Sequence, residues 1–449
     1  MKNAITILDH LQFDCPTTEQ KAALLGMSDF VKKDNTDDFF ILCGSAGTGK
    51  TSITTALIGY LNSKSISYNI AAPTGRAARI LGRKSKTVNS TIHSLIYNIK
   101  TNSDTGQVNF VLKQNDVKDY NIFIIDEASM IASKAPKDLK NLFQSKNSLL
   151  SDLIKFVKSG NDLNKIIFLG DKNQLPPINE KVSLALSKEY LVNNFNLKGE
   201  AKLLTEVKRQ EDGSYILKNA TKLREGIDKN NKSVIFEGIK KLSIEDAARN
   251  YVLDYLANGE ESIISIGTTH NMNKMFNNNV RTKIYGRNAK IIENEDLLLV
   301  TQTWKRNGYK LFSGDHVIVK EINLNAIETV AGLRFAQIKL ISKNLKGVEE
   351  IIDDYLLLDS VLNPSGLTSK QENQLRHERF KKNKVYRENL NPWDDRYVGA
   401  IRMTYGHSIT CNKAQGGEWD KVLINSYYMP SLRFQYTAIT RSKQEVSFY

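Results

Sequence analysis

The chain has 449 residues, which is more than one hydrophobic core usually fills, so its length predicts two to four domains. Its composition, 41% hydrophobic and 25% charged, is that of an ordinary soluble protein. Lysine and arginine number 63 against 49 acidic residues, for a net charge of +14. That excess favours a polyanionic partner, although general basicity of the source proteome would also produce it.

Targeting and redox features point to a cytoplasmic protein. Cys15, Cys43 and Cys411 have neither paired nor C-x-x-C spacing, which argues against a disulfide framework or a zinc site and fits a reducing compartment. The first ten residues lack a long apolar segment and a small-residue cleavage site, so no signal peptide is evident. No run of 18 apolar residues occurs, which makes a membrane span unexpected.

From residue 39 to about 200, short apolar runs alternate with helix-like segments, the pattern of a parallel α/β sheet. Strands are predicted at 39–43, 67–72, 121–125 and 165–169. A small insertion at 95–118 predicts a hairpin with strands at 97–100 and 107–113.

The first predicted strand leads into a phosphate-binding loop. The sequence fits G-x-x-x-x-G-K-[ST] without a mismatch and is followed by a helix-like run; its residues are Gly44, Ser45, Ala46, Gly47, Thr48, Gly49, Lys50 and Thr51. Backbone N–H groups of such a loop surround phosphates, and the helix N-terminus adds partial positive charge. Lys50 would contact the β- and γ-phosphates, and the Thr51 hydroxyl would bind Mg²⁺. The chain therefore is expected to bind and hydrolyse a nucleoside triphosphate.

Two later strands also end in polar turns. The strand at 121–125 ends in Asp126 and Glu127; the first suits Mg²⁺ binding, and the second suits activation of the attacking water. The strand at 165–169 ends in a Gly-Asp-x-x-Gln-Leu-Pro sequence, where Gln174 would sense the γ-phosphate.

The second half predicts another α/β series and an interruption. The series begins near residue 201, with strands at 262–267, 398–403 and 420–425. Between 288 and 397, short β segments at 312–320 and 334–341 suggest a small barrel. A basic stretch at 369–391 is more typical of a solvated helix than of a nucleic-acid contact.

The Gly-Asp-x-x-Gln-Leu-Pro sequence resembles the third motif of superfamily 1 helicases, and further segments match that family in order. These segments are 17–20, 72–78, 90–94, 204–210, 405–420 and 436–441. The sequences of these motifs most resemble those of superfamily 1B, the RecD, Pif-like and Dda-like branch. The resemblance covers about 17–443. It implies two tandem RecA-like parallel-sheet motor domains, at 1–200 and at 201–287 with 398–449. The hairpin at 95–118 would be inserted in the first, and an SH3-like β-barrel at 288–397 in the second.

The resemblance also implies residue roles. Gln20 would bind the adenine with its amide, Arg209 and Arg441 would contact the γ-phosphate, and Gly416 and Glu418 are further candidates for nucleotide contact. Because Arg209 and Arg441 are far along the chain from the phosphate loop, a second domain would have to supply them, when the cleft closes.

Single-stranded DNA would contact hydroxyl groups, cations and backbone N–H groups of both motor domains. The candidates are Pro73, Thr74, Thr91, His93, Thr269, His270, Thr410, Asn412 and Lys413. The family often has histidine where this chain has Asn412. Trp419 and Tyr436 are expected to pack in the core or the cleft. For strand separation, the hairpin is the candidate, with Tyr97 or Phe110 meeting the last base pair.

The sequence thus predicts an ATP- and Mg²⁺-dependent 5′-to-3′ DNA helicase that acts on single-stranded DNA and duplex junctions in replication, repair or recombination. A monomer is expected, with single-strand-binding or replication proteins as possible partners. Two alternatives stay open at this point: an RNA helicase of the same superfamily, and a nucleotide-gated DNA clamp.

Overall fold

The computed structural model describes residues 6–85, 90–101, 108–135, 143–144, 147–206, 214–344, 347–363 and 365–449. The chain divides into two compact units. The first comprises Met1–Asn98, Val111–Lys137 and Ser145–Ser214, and the second comprises Ile99–Phe110, Asp138–Gln144 and Tyr215–Tyr449. Among the described residues, no helix is both long enough and apolar enough to cross a membrane.

The first half of the chain alternates strands and helices. Its strands are β1 (Phe39–Gly44), β2 (Ser67–Ala72), β3 (Ser90–Thr91), β4 (Tyr97–Thr101), β5 (Val108–Leu112), β6 (Asn121–Ile125), β7 (Phe143–Gln144), β8 (Lys165–Gly170) and β9 (Gly199–Leu204). Its helices are α1 (Thr18–Phe30), α2 (Lys50–Ser63), α3 (Gly75–Ser85), α4 (Ile92–Ile96), α5 (Leu149–Gly160) and α6 (Lys188–Phe195).

A parallel sheet forms the centre of the first unit, with strands in the order β3-β2-β6-β8-β1-β9. The predicted strands are confirmed to within one residue at each end. The predicted boundary at residue 200 is wrong in detail, because β9 pairs with β1 and is the edge strand of this first sheet. The second series, predicted to begin near residue 201, therefore begins later in the chain, because strand pairing, which the local sequence does not encode, places 199–204 in the first sheet.

Both faces of this sheet are covered at β6, β8 and β1, which explains why these strands are largely apolar and buried along their whole length. On one face, Phe40 and Leu42 of β1 share a buried cluster with Leu24 of α1 and Leu57 of α2. Residues that alternate with this cluster along the strands face the other side of the sheet. An example is Phe123 of β6, whose ring packs edge-on against that of Phe156 of α5, with centroids 6.2 Å apart. The sheet edge that bears the polar turns is therefore held by a packed core.

The predicted hairpin corresponds to β4 and β5, which are neighbours in a small sheet with β7. At its base, Lys113 N–H donates to the carbonyl of Ile96 at 2.8 Å. The turn at 102–107 lies outside the described residues.

The second half continues the strand and helix series. Its strands are β10 (Lys240–Lys241), β11 (Ile263–Gly267), β12 (Leu297–Val300), β13 (Trp304–Arg306), β14 (Tyr309–Leu311), β15 (His316–Ile322), β16 (Glu328–Val330), β17 (Leu333–Lys343), β18 (Glu349–Leu357), β19 (Met403–Tyr405), β20 (Ser408–Thr410), β21 (Trp419–Ile424) and β22 (Ser442–Phe448). Its helices are α7 (Tyr215–Asp228), α8 (Ile244–Asn258), α9 (His270–Tyr285), α10 (Leu358–Leu362), α11 (Ser369–Lys382), α12 (Lys384–Asn389), α13 (Cys411–Ala414) and α14 (Leu432–Ile439).

A second parallel sheet runs in the order β10-β22-β21-β11-β20. Helices α8 and α9 cover it through Tyr251, Phe276 and Val280, which share a buried cluster with Ile263 and Leu423 of the sheet. Trp419 and Tyr436 are fully buried, so their prediction as packing residues is confirmed.

An antiparallel sheet is inserted after α9, in the order β16-β17-β15-β12-β19, with β18 on β17. It overturns one predicted assignment: the strand expected at 398–403 in the second motor sheet is instead Met403–Tyr405, paired with β12 of the insertion. The insertion therefore extends past residue 397, and the second parallel sheet resumes only at β20. A short apolar strand has no local feature that identifies its sheet.

The basic stretch at 369–391 forms α11 and α12, but it is only partly a solvated surface. Arg376 is buried beside Glu372, which also forms a bidentate pair with Arg402. Arg379 pairs with the buried Asp395 at 2.9 Å. The pairs of Glu372 with Arg402 and of Arg379 with Asp395 attach α11 to the residues that follow α12, so part of the positive charge serves structure.

Candidate nucleotide and nucleic-acid sites

The phosphate loop links β1 to α2 with the geometry its glycines allow. Gly47 and Gly49 have φ of 82° and 87°, a left-handed conformation that side chains disfavour. Lys50 Nζ turns back over the loop and donates to the carbonyls of Gly44 and Ser45, at 2.5 and 3.0 Å. The ammonium group is thereby already positioned at the loop, where phosphates would replace the carbonyl contacts.

Gln20 supports this loop from α1. Its amide oxygen accepts the N–H of Thr17 at 2.9 Å, and its Nε2 donates to the carbonyl of Thr48 at 3.0 Å. The side chain is almost fully buried, and a Cβ on Gly49 would lie 2.6 Å from its Nε2. Gln20 is thus fixed between the helix cap and the phosphate loop, and its predicted contact with adenine stays a proposal.

Glu127, the second of the two acidic residues that follow β6, has an unusual backbone conformation. Glu127 has φ 49° and ψ 38°, which is rare for a residue with a side chain and costs roughly 1 kcal/mol or more. Its N–H donates to Asp126 Oδ1 at 2.9 Å, and its carbonyl accepts from Met130. These hydrogen bonds hold the backbone of the turn that carries both acidic residues.

The turn after β8 contains a buried, unsatisfied amide. Gln174 is 3% exposed, and its Oε1 has no hydrogen-bond partner among the described residues. The turn is held by Asp171, whose carboxylate accepts from Asn173 N–H at 2.9 Å and whose carbonyl accepts from Gln174 N–H. Buried polar atoms without partners are rare, so this oxygen is positioned for a water molecule or ligand.

Sheet order brings these turns together. β8 lies between β6 and β1, and all three run in parallel, so the phosphate loop, Asp126–Glu127 and Gln174 follow the carboxyl ends of adjacent strands.

Burial first, and then the Asp171 carboxylate, raises the pKa of the nearby Cys43 thiol to about 11, so this cysteine stays protonated. The Thr51 hydroxyl and the Asp126 carboxylate are hard oxygen donors of the kind Mg²⁺ prefers, and the donor set fits that ion.

In the second unit, Arg441 lies against the turn that contains Gly416 and Glu418. It is 4% exposed; Nη1 donates to the carbonyl of Gly417 at 3.2 Å and Nε to that of Thr437 at 3.0 Å. In the described part of the chain no carboxylate forms an ion pair with it, and its Nη2 donates to the neutral Thr440 hydroxyl at 3.4 Å. A buried guanidinium whose partners are all neutral retains capacity for an anion. Arg209 lies outside the described residues.

The predicted DNA contacts of the first unit lie mainly at helix starts. Thr74 and Thr91 accept from Ala77 and Ser94 N–H groups and so cap α3 and α4, which leaves each hydroxyl hydrogen for another acceptor. Pro73 precedes the first cap and is partly buried. Burial lowers the pKa of His93 to about 4, so its ring is neutral at physiological pH. A neutral ring can donate one hydrogen bond but supplies no charge to a phosphate.

The corresponding residues of the second unit share one sheet edge. Thr269 caps α9 by accepting from Met272 N–H, and Thr410 precedes α13, which contains Asn412 and Lys413. Burial lowers the pKa of Lys413, whose Nζ donates to Ser313 Oγ of the insertion at 2.9 Å. Partial burial and the Lys413 charge lower the pKa of His270. These residues are therefore near each other, which their sequence separation did not show.

Of the two strand-separation candidates, Tyr97 is committed to the interior. It is 5% exposed, and its hydroxyl donates to Asp152 Oδ2 at 2.7 Å. A ring held in this way cannot meet a base pair, so the structure contradicts that candidate. Phe110 on β5 is partly exposed and remains.

One contact near the site had no signal in the sequence analysis. The Glu19 carboxylate accepts from the N–H and hydroxyl of Thr205, both at 2.6 Å, and from Glu206 N–H at 3.2 Å. Burial would raise the pKa of Glu19, but these hydrogen bonds lower it overall. Glu19 therefore ties the helix that carries Gln20 to the residues directly before 207–213. A glutamate in the first turn of a helix, two positions after the N-cap Thr17, gives no indication in the sequence of a partner 186 residues away.

Comparison with known proteins gives matches in both units. The chain matches the model of an AAA domain at residues 28–180 and that of the UvrD-like helicase C-terminal domain at 405–449. It is 28% identical over 278 residues to the ATP-dependent DNA helicase dda of Enterobacteria phage T4, covering 59% of this chain and 57% of that protein. It is 24% identical over 471 residues to the RecBCD enzyme subunit RecD of Buchnera aphidicola, covering 92% and 70%.

Among solved structures, a Bacteroides Pif1 helicase in complex with ADP-AlF3 and single-stranded DNA is 15% identical, with a TM-score of 0.48, and the match covers 97% of this chain and 92% of that one. The chain spans just over half the length of the phage helicase.

The phosphate loop, the paired carboxylates and the parallel sheet that aligns them define a P-loop nucleotide-binding protein with a RecA-like α/β fold. Within that class, the chain is similar to superfamily 1 DNA helicases of the Dda and RecD type over the residue ranges given above. The resemblance predicted from the sequence is confirmed.

Proposed function

We propose that the protein is an ATP-dependent helicase and translocase that moves 5′ to 3′ on single-stranded DNA and unwinds duplex at junctions. One observation carries the catalytic part: Asp126–Glu127 follow β6, and the unsatisfied Gln174 oxygen follows β8, the strand between β6 and the phosphate-loop strand β1. Similarity to the phage T4 DNA helicase and to RecD supports the DNA part. The polarity follows from the family resemblance.

In the proposed reaction, Glu127 accepts a proton from a water molecule that Gln174 orients. That water attacks the γ-phosphorus, the bond from phosphorus to the β,γ-bridging oxygen breaks, and ADP and phosphate leave. Lys50 stabilises charge on the phosphates. Mg²⁺, held by Thr51 and Asp126, would neutralise further charge on the β- and γ-oxygens. Gln20 would bind the adenine, and Arg209 and Arg441 would stabilise the transferring phosphoryl group; Gly416 and Glu418 would contact the nucleotide.

Movement would follow from alternating grip. Thr74, Thr91 and His93 would hold the strand in one unit, and Thr269, His270, Thr410, Asn412 and Lys413 in the other. We propose that the antiparallel insertion is an SH3-like barrel that retains the strand, and that the hairpin with Phe110 separates the duplex. The protein would act as a monomer in the cytoplasm, in replication, repair or recombination.

The deciding experiment measures steady-state ATPase activity with single-stranded DNA, with RNA and with neither. Stimulation by DNA is expected. Glu127→Gln should abolish turnover and keep ATP binding, because the side chain keeps its shape but no longer accepts a proton. Glu245→Gln, an exposed carboxamide substitution on α8, is the matched control. Unchanged turnover in Glu127→Gln would contradict the catalytic assignment.

Two further results would select the alternatives. Stimulation by RNA alone would identify an RNA helicase. ATP and DNA binding without unwinding of either a 5′-tailed or a 3′-tailed duplex would identify a nucleotide-gated clamp. Unwinding of the 3′-tailed substrate alone would contradict the proposed polarity.

A further inference from the structure

Tyr427 is a solvent-facing aromatic side chain on the loop that follows β21. It is 89% exposed, the highest exposed fraction of any large hydrophobic side chain in the described residues, and its neighbour Tyr428 is 54% exposed. A ring left this open contributes little to folding, because burial of apolar area is what stabilises. It is therefore available for a ligand that has a flat apolar face.

The backbone on both sides of the ring is fixed. The Tyr427 N–H donates to Asn425 Oδ1 at 3.1 Å, and Ser426 N–H and Oγ both donate to the carbonyl of Tyr449, at 2.8 and 3.0 Å. Beyond the ring, Thr268 Oγ1 donates to the carbonyl of Tyr428 at 2.5 Å. A loop anchored in this way presents its ring with little ordering cost on binding.

The loop shares a sheet edge with the proposed DNA contacts. β21 pairs in parallel with β11, which pairs in parallel with β20, so their carboxyl ends lie side by side. Those ends lead to Tyr427, to Thr269 and His270, and to Thr410 and Lys413, respectively. The Thr268 hydrogen bond joins the tyrosine loop directly to the turn that precedes Thr269.

We infer that Tyr427 stacks on a base of the bound single strand, beside the phosphate contacts made by Thr269, His270 and Lys413. This inference rests on the proposed function. Stacking on an aromatic ring tolerates every base, since each has a π-face, and therefore suits a protein that moves along any sequence. It adds a contact with the bases to a grip that otherwise depends on contacts with the phosphates.

The test measures the affinity of the full chain for a fluorescent oligothymidine over a series of salt concentrations. Tyr427→Ala should weaken binding about 5- to 150-fold, the range for loss of one base–aromatic stack, with an unchanged slope of log affinity against log salt. Tyr427→Phe keeps the ring and should bind like the wild type. Ile235→Ala removes an equally exposed, non-aromatic side chain (86%) from the same unit and should have no effect.

An oligonucleotide in which abasic sites replace the central bases separates stacking from a general defect. The wild type should bind it more weakly than it binds the intact oligonucleotide. Tyr427→Ala and the wild type should bind the abasic oligonucleotide equally, because it has no central bases on which the tyrosine ring could stack. If wild type and Tyr427→Ala bind both oligonucleotides equally, the inference is overturned while the proposed function stands.

If the wild type binds neither oligonucleotide, the proposed function fails and the inference fails with it. The adenine of ATP could also stack on the Tyr427 ring. Binding of a fluorescent ATP analogue, measured in the absence of DNA, distinguishes this possibility from stacking on a DNA base. Weaker binding of that analogue by Tyr427→Ala, with unchanged DNA affinity, would assign the ring to the nucleotide and overturn the DNA assignment.

Discussion

The buried His407 should make the stability of the second unit depend on pH. Its ring is fully buried and packs edge-on against Tyr251 and Tyr255, with centroids 5.5 and 5.4 Å apart. Burial lowers the pKa of His407 to about 3, with smaller contributions from Arg281 and His316. Its Nδ1 lies 3.3 Å from the Tyr251 hydroxyl, and among the described residues its Nε2 has no partner.

The magnitude follows from proton linkage. An unfolded histidine has a pKa near 6.5, so between pH 6.5 and about 3 the unfolded chain binds a proton that the folded chain does not. The free energy of unfolding therefore falls as the pH drops through that window. Between pH 7 and pH 5 the loss from this one group is about 2 kcal/mol, a large share of a typical domain's stability.

Urea unfolding followed by tryptophan fluorescence provides the assay, because Trp304, Trp393 and Trp419 all belong to the second unit. His407→Phe keeps a ring in the same site and removes the titrating group. The free energy of unfolding should fall about 2 kcal/mol less for this variant than for the wild type between pH 7 and pH 5. Measurements at pH 8, where the histidine is neutral in both states, correct for altered packing. An equal decrease in both proteins would refute the reasoning.

Three further predictions concern the motor. Glu19→Ala removes the acceptors of Thr205 and Glu206, and it should lower the free energy of unfolding by about 1 kcal/mol and reduce ATP turnover more than ATP affinity; equal values for the variant and wild type in urea titration and ATPase assays would contradict this. Arg441→Lys keeps the charge but loses the fork, so turnover should fall by roughly 10³-fold with ATP affinity retained, and unchanged single-turnover hydrolysis would exclude the phosphate role. Trimming residues 101–107 should abolish duplex unwinding and spare DNA-stimulated ATPase, with Phe110→Ala as the point variant; unwinding that survives both changes would exclude the hairpin.

Local sequence determined the nucleotide site to a large extent. The phosphate loop, Asp126–Glu127 and Gln174 each follow a short apolar run, and such runs predict buried strands whose carboxyl ends carry the chemistry. The glycines that the loop needs at positive φ are written in the motif itself. Family motifs extended the prediction to both units.

Only the tertiary structure decided which strands pair and which side chains are committed to the interior. The second series was predicted to begin near residue 201 and to include a strand at 398–403. Instead, Gly199–Leu204 pairs with Phe39–Gly44, and the strand Met403–Tyr405 pairs with Leu297–Val300. Tyr97 was predicted as one of two strand-separation candidates, but its hydroxyl donates a hydrogen bond to Asp152, 55 residues away, and this contact excludes it. The sequence did not indicate a role for Tyr427; the inference about it depends on its exposure and on the residues near its loop. Pairing, burial and long-range hydrogen bonds depend on residues far apart in the chain, and a local pattern carries no information about them.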